Sequence, residues 1–336
     1  MIIFNCNWFI MKRFIFLIQV VCISHLLPGQ NISTAYYSLI QTADSLYNAH
    51  DFMRSGLKYS EAFKVNGWKG TSNDRYNAAC SYALASMPDS AFFQLDRIVT
   101  LMNYKNYAYI TTDPDLIPLH NDARWEPLLE GVRKNKERAE ANLNILLAAK
   151  LDSVYSDDQN YRQQIYAVEQ KYGGDSREIH ELINLIAKKD SMNIMVVTSI
   201  LDQYGWLGAD VVSDNGNLAL FLVIQHADLA TQQKYLPMMR EAVKNGRAQG
   251  SSLALLEDRV ALREGKRQIY GSQIGQDPDT RQYFVSPLDD PDHVDERRAS
   301  VGLEPLAVYV SRWQIQWDVA QYKKDLPALE EKLHHR

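Results

Sequence analysis

The sequence predicts a mainly α protein: a short array of helical hairpins in front, then a predominantly helical α+β domain with a small β-hairpin. Three observations point there. Two helix–turn–helix pairs follow one another between Thr34 and about Asn103, and they superpose at a constant offset. Hydrophobic residues make up 46% of the 336 and charged residues 23%, with 16 Gly and 11 Pro. That balance excludes a disordered tail, a collagen-like fibre and a disulfide-dense scaffold. Extended runs are confined to one late stretch. At roughly 150 residues per domain the length allows two folded units.

The first element is a leader. Met11-Lys12-Arg13 is a short basic start, Phe14 to Leu27 is an apolar run of secretory length, and Pro28-Gly29-Gln30 breaks it. This is the pattern of a signal peptide over residues 1–30, starting at Met1 or Met11 and cleaved near Gln30. The run is shorter than a membrane span and is interrupted by Gln19, Ser24 and His25. The expectation is therefore an exported chain, periplasmic or extracellular, with no span once the leader is removed. Cys6 and Cys22 fall in or before the leader, which leaves Cys80 alone. A single cysteine makes neither a disulfide nor a zinc cluster, and its small-residue helical setting reads as a packed thiol.

The helical pairs come next, Thr34–Ala49 with Asp51–Asn66 and Asn73–Met87 with Ser90–Met102. Ala43, Leu46, Ser55, Tyr59 and Ala62 fall over Ala79, Tyr82, Ala91, Leu95 and Ile98 without a gap. Small residues at such positions let antiparallel helices approach closely. This spacing resembles the tetratricopeptide repeat, whose period is about 34 residues. The family's usual Trp and terminal Pro are absent. Asp122 to Leu129 resembles the helix that closes such arrays, with Trp125, Leu128 and Leu129 on its buried face. The array is expected over 31–135. The resemblance implies a surface for a protein or peptide partner.

Beyond it, 136–336 is expected as a mainly helical domain. The charged run Arg133 to Glu140 reads as a solvated helix face. Helices follow over Leu143–Val154, Asp157–Tyr172, Arg177–Lys189 and Val196–Tyr204, and Gly173-Gly174-Asp175-Ser176 supplies a stop and an N-cap. Leu218–Gln225 is apolar on every side, the mark of a buried helix or an interior strand. Ala230–Lys244 bends at Pro237, and Ser251–Glu264 is amphipathic through Leu253, Leu256 and Val260. Arg267–Ile274 and Gln282–Leu288 read as a hairpin, followed by short helices over Pro291–Val301 and Pro305–Gln316.

Between 203 and 310 a set of phrases does not read as packing: Tyr204-Gly205-Trp206, Gln225-His226-Ala227-Asp228, Glu257-Asp258-Arg259-Val260, Gln268 to Gln273, and Val294 to Arg298. Together they resemble an uncharacterised bacterial domain family, from which no activity carries over. His226 ends an apolar helix and is a candidate general base, or a cap for helix carbonyls. Asp258 sits among Leu256 and Val260, where an acid can orient a histidine or hold an arginine. Arg298 is a candidate anion clamp, or the partner of Asp295 three residues away. Gln268, Tyr270, Gln273 and Arg297 are candidate ligand-binding residues, with Gln268, Tyr270 and Ser272 sharing one face of an expected strand.

The formal charge of −5 implies no general attraction to nucleic acid. No phosphate loop, zinc-histidine pair, nucleophile elbow or dinucleotide fingerprint is present, so no cofactor and no metal is expected. Two functions remain. One is an exported partner-binding or scaffold protein with a pocket for a small polar or anionic ligand. The other is a hydrolase or transferase built on His226, Asp258, Gln273 and Arg298.

Overall fold

The computed structural model describes residues 34–277 and 280–334; the leader lies outside them. The described chain is mainly α with one two-stranded antiparallel hairpin. It forms two compact units. Residues 34–143 group with 295–316, and 144–294 group with 317–334.

In the front unit, α1 (Thr34–Asn48), α2 (Phe52–Val65), α3 (Ser72–Leu84) and α4 (Pro88–Leu101) are successive antiparallel helices. The small residues at the repeating positions form the seam: Ala43, Ser55, Ala62, Ala79 and Ala91 are all fully buried. Ser55 Oγ donates to the Ala43 carbonyl at 2.8 Å and lies 3.0 Å from Ser81 Oγ. Gly56 marks the tightest approach, since a Cβ there would meet the Tyr82 ring at 2.6 Å. α5 (Tyr107–Thr112) and a 3-10 turn (Pro114–Leu119) lead into α6 (Trp125–Glu140). α6 buries Trp125, Leu128, Leu129 and Val132 and turns Arg133, Lys134 and Lys136 to solvent.

Four tyrosines, three of them buried and Tyr47 half-buried, close this unit by donating their hydroxyls to carboxylates. The pairs are Tyr36–Asp74, Tyr47–Asp115, Tyr59–Asp44 and Tyr76–Asp113, the last at 2.8 Å. Burial pushes all four phenols up, so they stay neutral donors.

The rear unit is built on α7 (Ile145–Arg162), α8 (Ile165–Tyr172), α9 (Arg177–Tyr204), α10 (Ala209–His226), α11 (Leu229–Lys244) and α12 (Gly250–Arg263). The expected break between Lys189 and Val196 is absent. Ser191 bonds back to the Ala187 carbonyl within the helix at 2.9 Å, and α9 runs on to Gly205. α10 is the buried helix of the two readings for Leu218–Gln225; Ala219 to Gln225 are all buried. Its kink falls at Ser213 (φ 71°), whose Oγ accepts from Gly216 N at 3.0 Å and restarts the helix. A Cβ at Gly216 would lie 3.3 Å from Leu151 Cβ, so glycine lets α7 and α10 pack closely.

The hairpin is shorter than expected. β1 (Ile274–Gln276) pairs with β2 (Tyr283–Val285), Ile274 opposite Val285. Residues 267–273 are not a strand, because the amides of Ile269, Tyr270 and Ser272 are held by the Asp258 carboxylate. α13 (Val294–Ser300) and α14 (Leu306–Ser311) follow, and α15 (Val319–His334) is a helix that the sequence reading did not identify. No described helix is long and apolar enough to cross a membrane.

Candidate functional site

α7 carries a polar stripe into an apolar core. Leu151, Val154 and Asp158 recur at helical spacing, and all three are buried. Asp158 therefore stands where a hydrophobe would be expected, facing the C-terminal end of α10. His226 meets it there: Nδ1 lies 2.9 Å from Asp158 Oδ1, with the two side chains 10% and 1% exposed. Arg162, one turn along α7, approaches Asp158 Oδ1 to 3.3 Å and donates to Asp190 of α9 at 2.8 Å. Gln159 Nε2 donates to Asp158 Oδ2 at 2.7 Å.

The electrostatics fix the tautomer. Burial pushes Asp158 up, but His226, Arg162 and Gln159 outweigh it and hold the carboxyl below the usual range. Burial lowers His226, as do Arg162 and Arg259, and Asp158 only partly opposes them. A neutral ring beside an ionised carboxylate must carry its proton on Nδ1 and donate it to Asp158. Nε2 is then the basic nitrogen, and among the described residues it takes no partner.

The other phrases knit around this pair. Arg259 Nη1 donates to the Gln225 carbonyl at 2.8 Å, and its Nε reaches Gln273 Oε1 at 3.2 Å. Arg263 donates to the Ala227 carbonyl at 2.7 Å, and Asp228 caps α11 by accepting from Thr231 N at 2.7 Å. Asp258 is fully buried and orients no histidine. Its Oδ1 accepts the amides of Ile269 and Tyr270 at 2.7 and 2.9 Å, and its Oδ2 that of Ser272 at 2.9 Å. Gly271, at φ 68°, makes the turn that brings those amides round one carboxylate. Burial pushes Asp258 up while the three amides pull it down.

Gln268 is also fully buried. Its Nε2 donates to the carbonyls of Gln273 and Ser286 at 3.0 and 2.8 Å, and its Oε1 accepts from Gln273 N at 2.8 Å. Gln273 Nε2 reaches Ser272 Oγ at 3.0 Å. Tyr270 is half-buried and gives its amide to Asp258. Of the sequence candidates, His226, Asp258, Gln268, Tyr270 and Gln273 thus lie in the rear unit. Asp258, Gln268 and Gln273 spend their polar atoms on backbone and neighbouring side chains, and His226 keeps a nitrogen open.

Arg297 and Arg298 belong to the front unit. Arg298 is 1% exposed, donates from Nε to the Glu304 carbonyl at 2.6 Å and lies 4.8 Å from the centre of the Tyr309 ring. Asp295 accepts from Leu306 N at 2.7 Å. The same unit gathers Cys80, Asp113 and Asp115, with potential ligand atoms within 4.8 Å of one another. Both aspartates accept tyrosine hydroxyls, and burial and those carboxylates push the thiol up.

Asp158, Arg162 and Asp190 were missed in the sequence. They sit in or beside polar runs, Asp157 to Asn160 and Lys188 to Ser191, that look solvated. The usable signal was Asp158 at four residues from Val154 and seven from Leu151, an acid on the apolar stripe of its own helix.

A family model, DUF6624, described as a family of unknown function, matches residues 146–319. No tetratricopeptide-repeat model matches the front helices. No curated protein matches the chain, and no solved structure does.

Proposed function

As the chain belongs to DUF6624, a family of unknown function, we propose that its rear unit is an enzyme domain, with His226 as general base and Asp158 as the carboxylate that orients it. The observation that supports this reading is the asymmetry of one imidazole. Nδ1 is held at 2.9 Å by a buried carboxylate, Nε2 has no partner among the described residues, and a tenth of the side chain reaches solvent. A base and its orienter are two parts of the arrangement used for nucleophile activation.

The chemistry that fits is hydrolysis or group transfer. Nε2 takes the proton of a water or hydroxyl as that oxygen bonds to an electrophilic centre. The bond to the leaving group breaks, and the imidazolium returns the proton to that group. General base catalysis of this kind contributes about 10²- to 10⁴-fold. Burial, Arg162 and Arg259 disfavour the imidazolium, so the resting ring stays unprotonated and able to accept a proton.

The test is a panel of chromogenic carboxylic esters, phosphate esters and glycosides offered to the full chain, to His226→Ala and to Asp158→Asn. Turnover of one class by the parent, lost in both variants, supports the reading. Turnover that survives in His226→Ala rejects it. Export is part of the proposal and rests on the leader alone: residues 11–35 fused to a reporter active only outside the cytoplasm should give signal. A mature protein beginning at Met1 or Met11 would reject export by cleavage.

A further inference from the structure

Two neighbouring residues of α9 pair with α7, and they do different things. Lys189 donates to Asp157 at 2.8 Å, between side chains that are both partly exposed. That pair already ties α9 to α7. Asp190, the next residue, takes Arg162 instead. Nη2 of the guanidinium donates to both of its carboxylate oxygens, at 2.9 and 2.8 Å. Arg162 is 13% exposed and Asp158 1%, so these charges meet where screening by water is weak.

The guanidinium faces two acids at once. Nη1 donates to the Asp158 backbone carbonyl at 2.9 Å and lies 3.3 Å from Asp158 Oδ1. That oxygen is the one His226 Nδ1 approaches to 2.9 Å. Arginine and imidazole therefore compete for a single oxygen. A guanidinium that turned both nitrogens onto Asp158 would form the stronger, bidentate pair. With Nη2 held by Asp190, that turn is blocked.

Charge points the same way. The charged groups facing the ring are Asp158 and Arg162 of α7, Asp190 of α9 and Arg259 of α12. Arg263 of α12 faces Asp228, the cap of α11, and Lys189 faces Asp157. Arg162 favours the ionised form of Asp190, which burial opposes. Two acids thus answer two arginines while the ring is neutral. Without Asp190, an imidazolium would form beside two guanidiniums and one carboxylate, an uncompensated charge in a buried setting.

Resting on the reading of His226 as general base, we propose that Asp190 is its positioning residue. By holding Arg162 it reserves Asp158 Oδ1 for the imidazole, and it cancels a positive charge that would oppose the imidazolium. It acts through Arg162 and needs no contact with substrate.

The test reads the ring itself, by nitrogen-15 NMR at pH 7 on the full chain labelled in histidine. The shifts of Nδ1 and Nε2 show which nitrogen carries the proton, and the signal is assigned by its loss in His226→Gln. The parent should carry the proton on Nδ1. Asp190→Ala should lower the ratio of the Nδ1–H to the Nε2–H form at least about tenfold, the scale of one hydrogen bond to a charged group. Asp190→Glu, which keeps the charge, should restore the parent form. In an Arg162→Gln chain, adding Asp190→Ala should change the ring no further. Should Asp190→Ala fail to fold, Asp190→Asn, of the same shape, takes its place and should move the ratio in the same direction. An unchanged ring, or a further change on top of Arg162→Gln, overturns the proposal. Turnover that survives in His226→Ala would reject the base without altering these spectra, so the two failures are told apart.

Discussion

The two units bury polar groups by different chemistry. The front unit sets neutral phenols on carboxylates, as in Tyr36–Asp74 and Tyr76–Asp113. Each pair satisfies a buried carboxyl group with a phenol that burial keeps from titrating near neutrality. The rear unit buries Asp158 among Arg162, Asp190 and an imidazole. There the charges are mutual, and one member is an imidazole that burial holds neutral. The first arrangement is suited to holding helices together. The second also holds helices, and it leaves Nε2 available. A buried polar cluster is a stronger candidate for chemistry when one member can take up a proton and keeps an atom unspent.

The largest effect that would break this comparison lies outside both sets. Asp258→Ala should cost about 3 kcal/mol, because one buried and two part-buried amides lose their acceptor and each orphaned donor costs about 1–3 kcal/mol. Urea unfolding of the full chain, compared by midpoint at constant slope, measures it. A loss below about 1 kcal/mol would mean that the turn at Gly271 re-forms without its carboxylate. The prediction would then fail, and Asp258 would return to the candidate site.

The second tests whether the rear charges are mutual. Asp158→Asn removes the acid between Arg162 and His226 and should cost about 3 kcal/mol, in the range for breaking a buried pair. His226→Ala should cost less, about 1 kcal/mol, since Asp158 keeps Arg162 and Gln159. Equal losses in the two variants would show His226 to be as structural as its partner.

Those partners explain what the sequence could and could not disclose. The front array is legible because close packing demands small residues at a fixed period, and Ala43, Ala79 and Ala91 satisfy it locally. His226 stands out at the end of an apolar run. Asp158 does not, because its partner is on another helix and its neighbours in sequence are polar. Asp258 was visible as an acid among Leu256 and Val260. A strand was nonetheless expected over 267–274, since alternation cannot show that a distant carboxylate will claim those amides. Arg298 carried the right chemistry, but its surroundings depend on the Glu304 carbonyl and the Tyr309 ring, which the chain brings back onto it. Residue type and period are local signals. The identity of a buried partner is not.

The third prediction concerns acid. The folded His226 binds its proton less readily than the unfolded chain does, so below about pH 6.5 unfolding takes up protons and stability falls with pH. The slope reaches at most about 1.4 kcal/mol per pH unit for one proton. Asp158, held low, adds a second loss as pH passes below its ordinary value of 3.8. Asp190 of the rear unit, and Asp44 and Asp74 of the front unit, are pushed up by burial. They act in the opposite sense, favouring the folded state as they protonate. Hydrogen exchange at pH 7 and pH 5.5 should therefore show α10 losing protection and α3 keeping it. A His226→Gln chain should lose the difference. Equal weakening of both helices would remove the distinction between the units.

The smallest expected effect is the most direct measure of what a phenol–carboxylate pair contributes. Tyr76→Phe removes one hydroxyl and leaves ring packing against Tyr104 and Tyr109 unchanged. Asp113 Oδ2 loses its donor at 2.8 Å, while Oδ1 keeps the Asp115 amide at 3.0 Å. Cys80 Sγ, at 3.8 Å, is too weak a donor to replace the phenol. The net loss should be about 1 kcal/mol, the usual contribution of a single neutral donor, and it should be flat between pH 6 and 8 because burial keeps the Tyr76 phenol protonated there. Thermal unfolding of the full chain at both pH values gives the number and its slope. A loss near 3 kcal/mol, or one that grows with pH, would mean that the front pairs carry charge as the rear cluster does. The contrast between a neutral frame and a titrating site would then have to be given up.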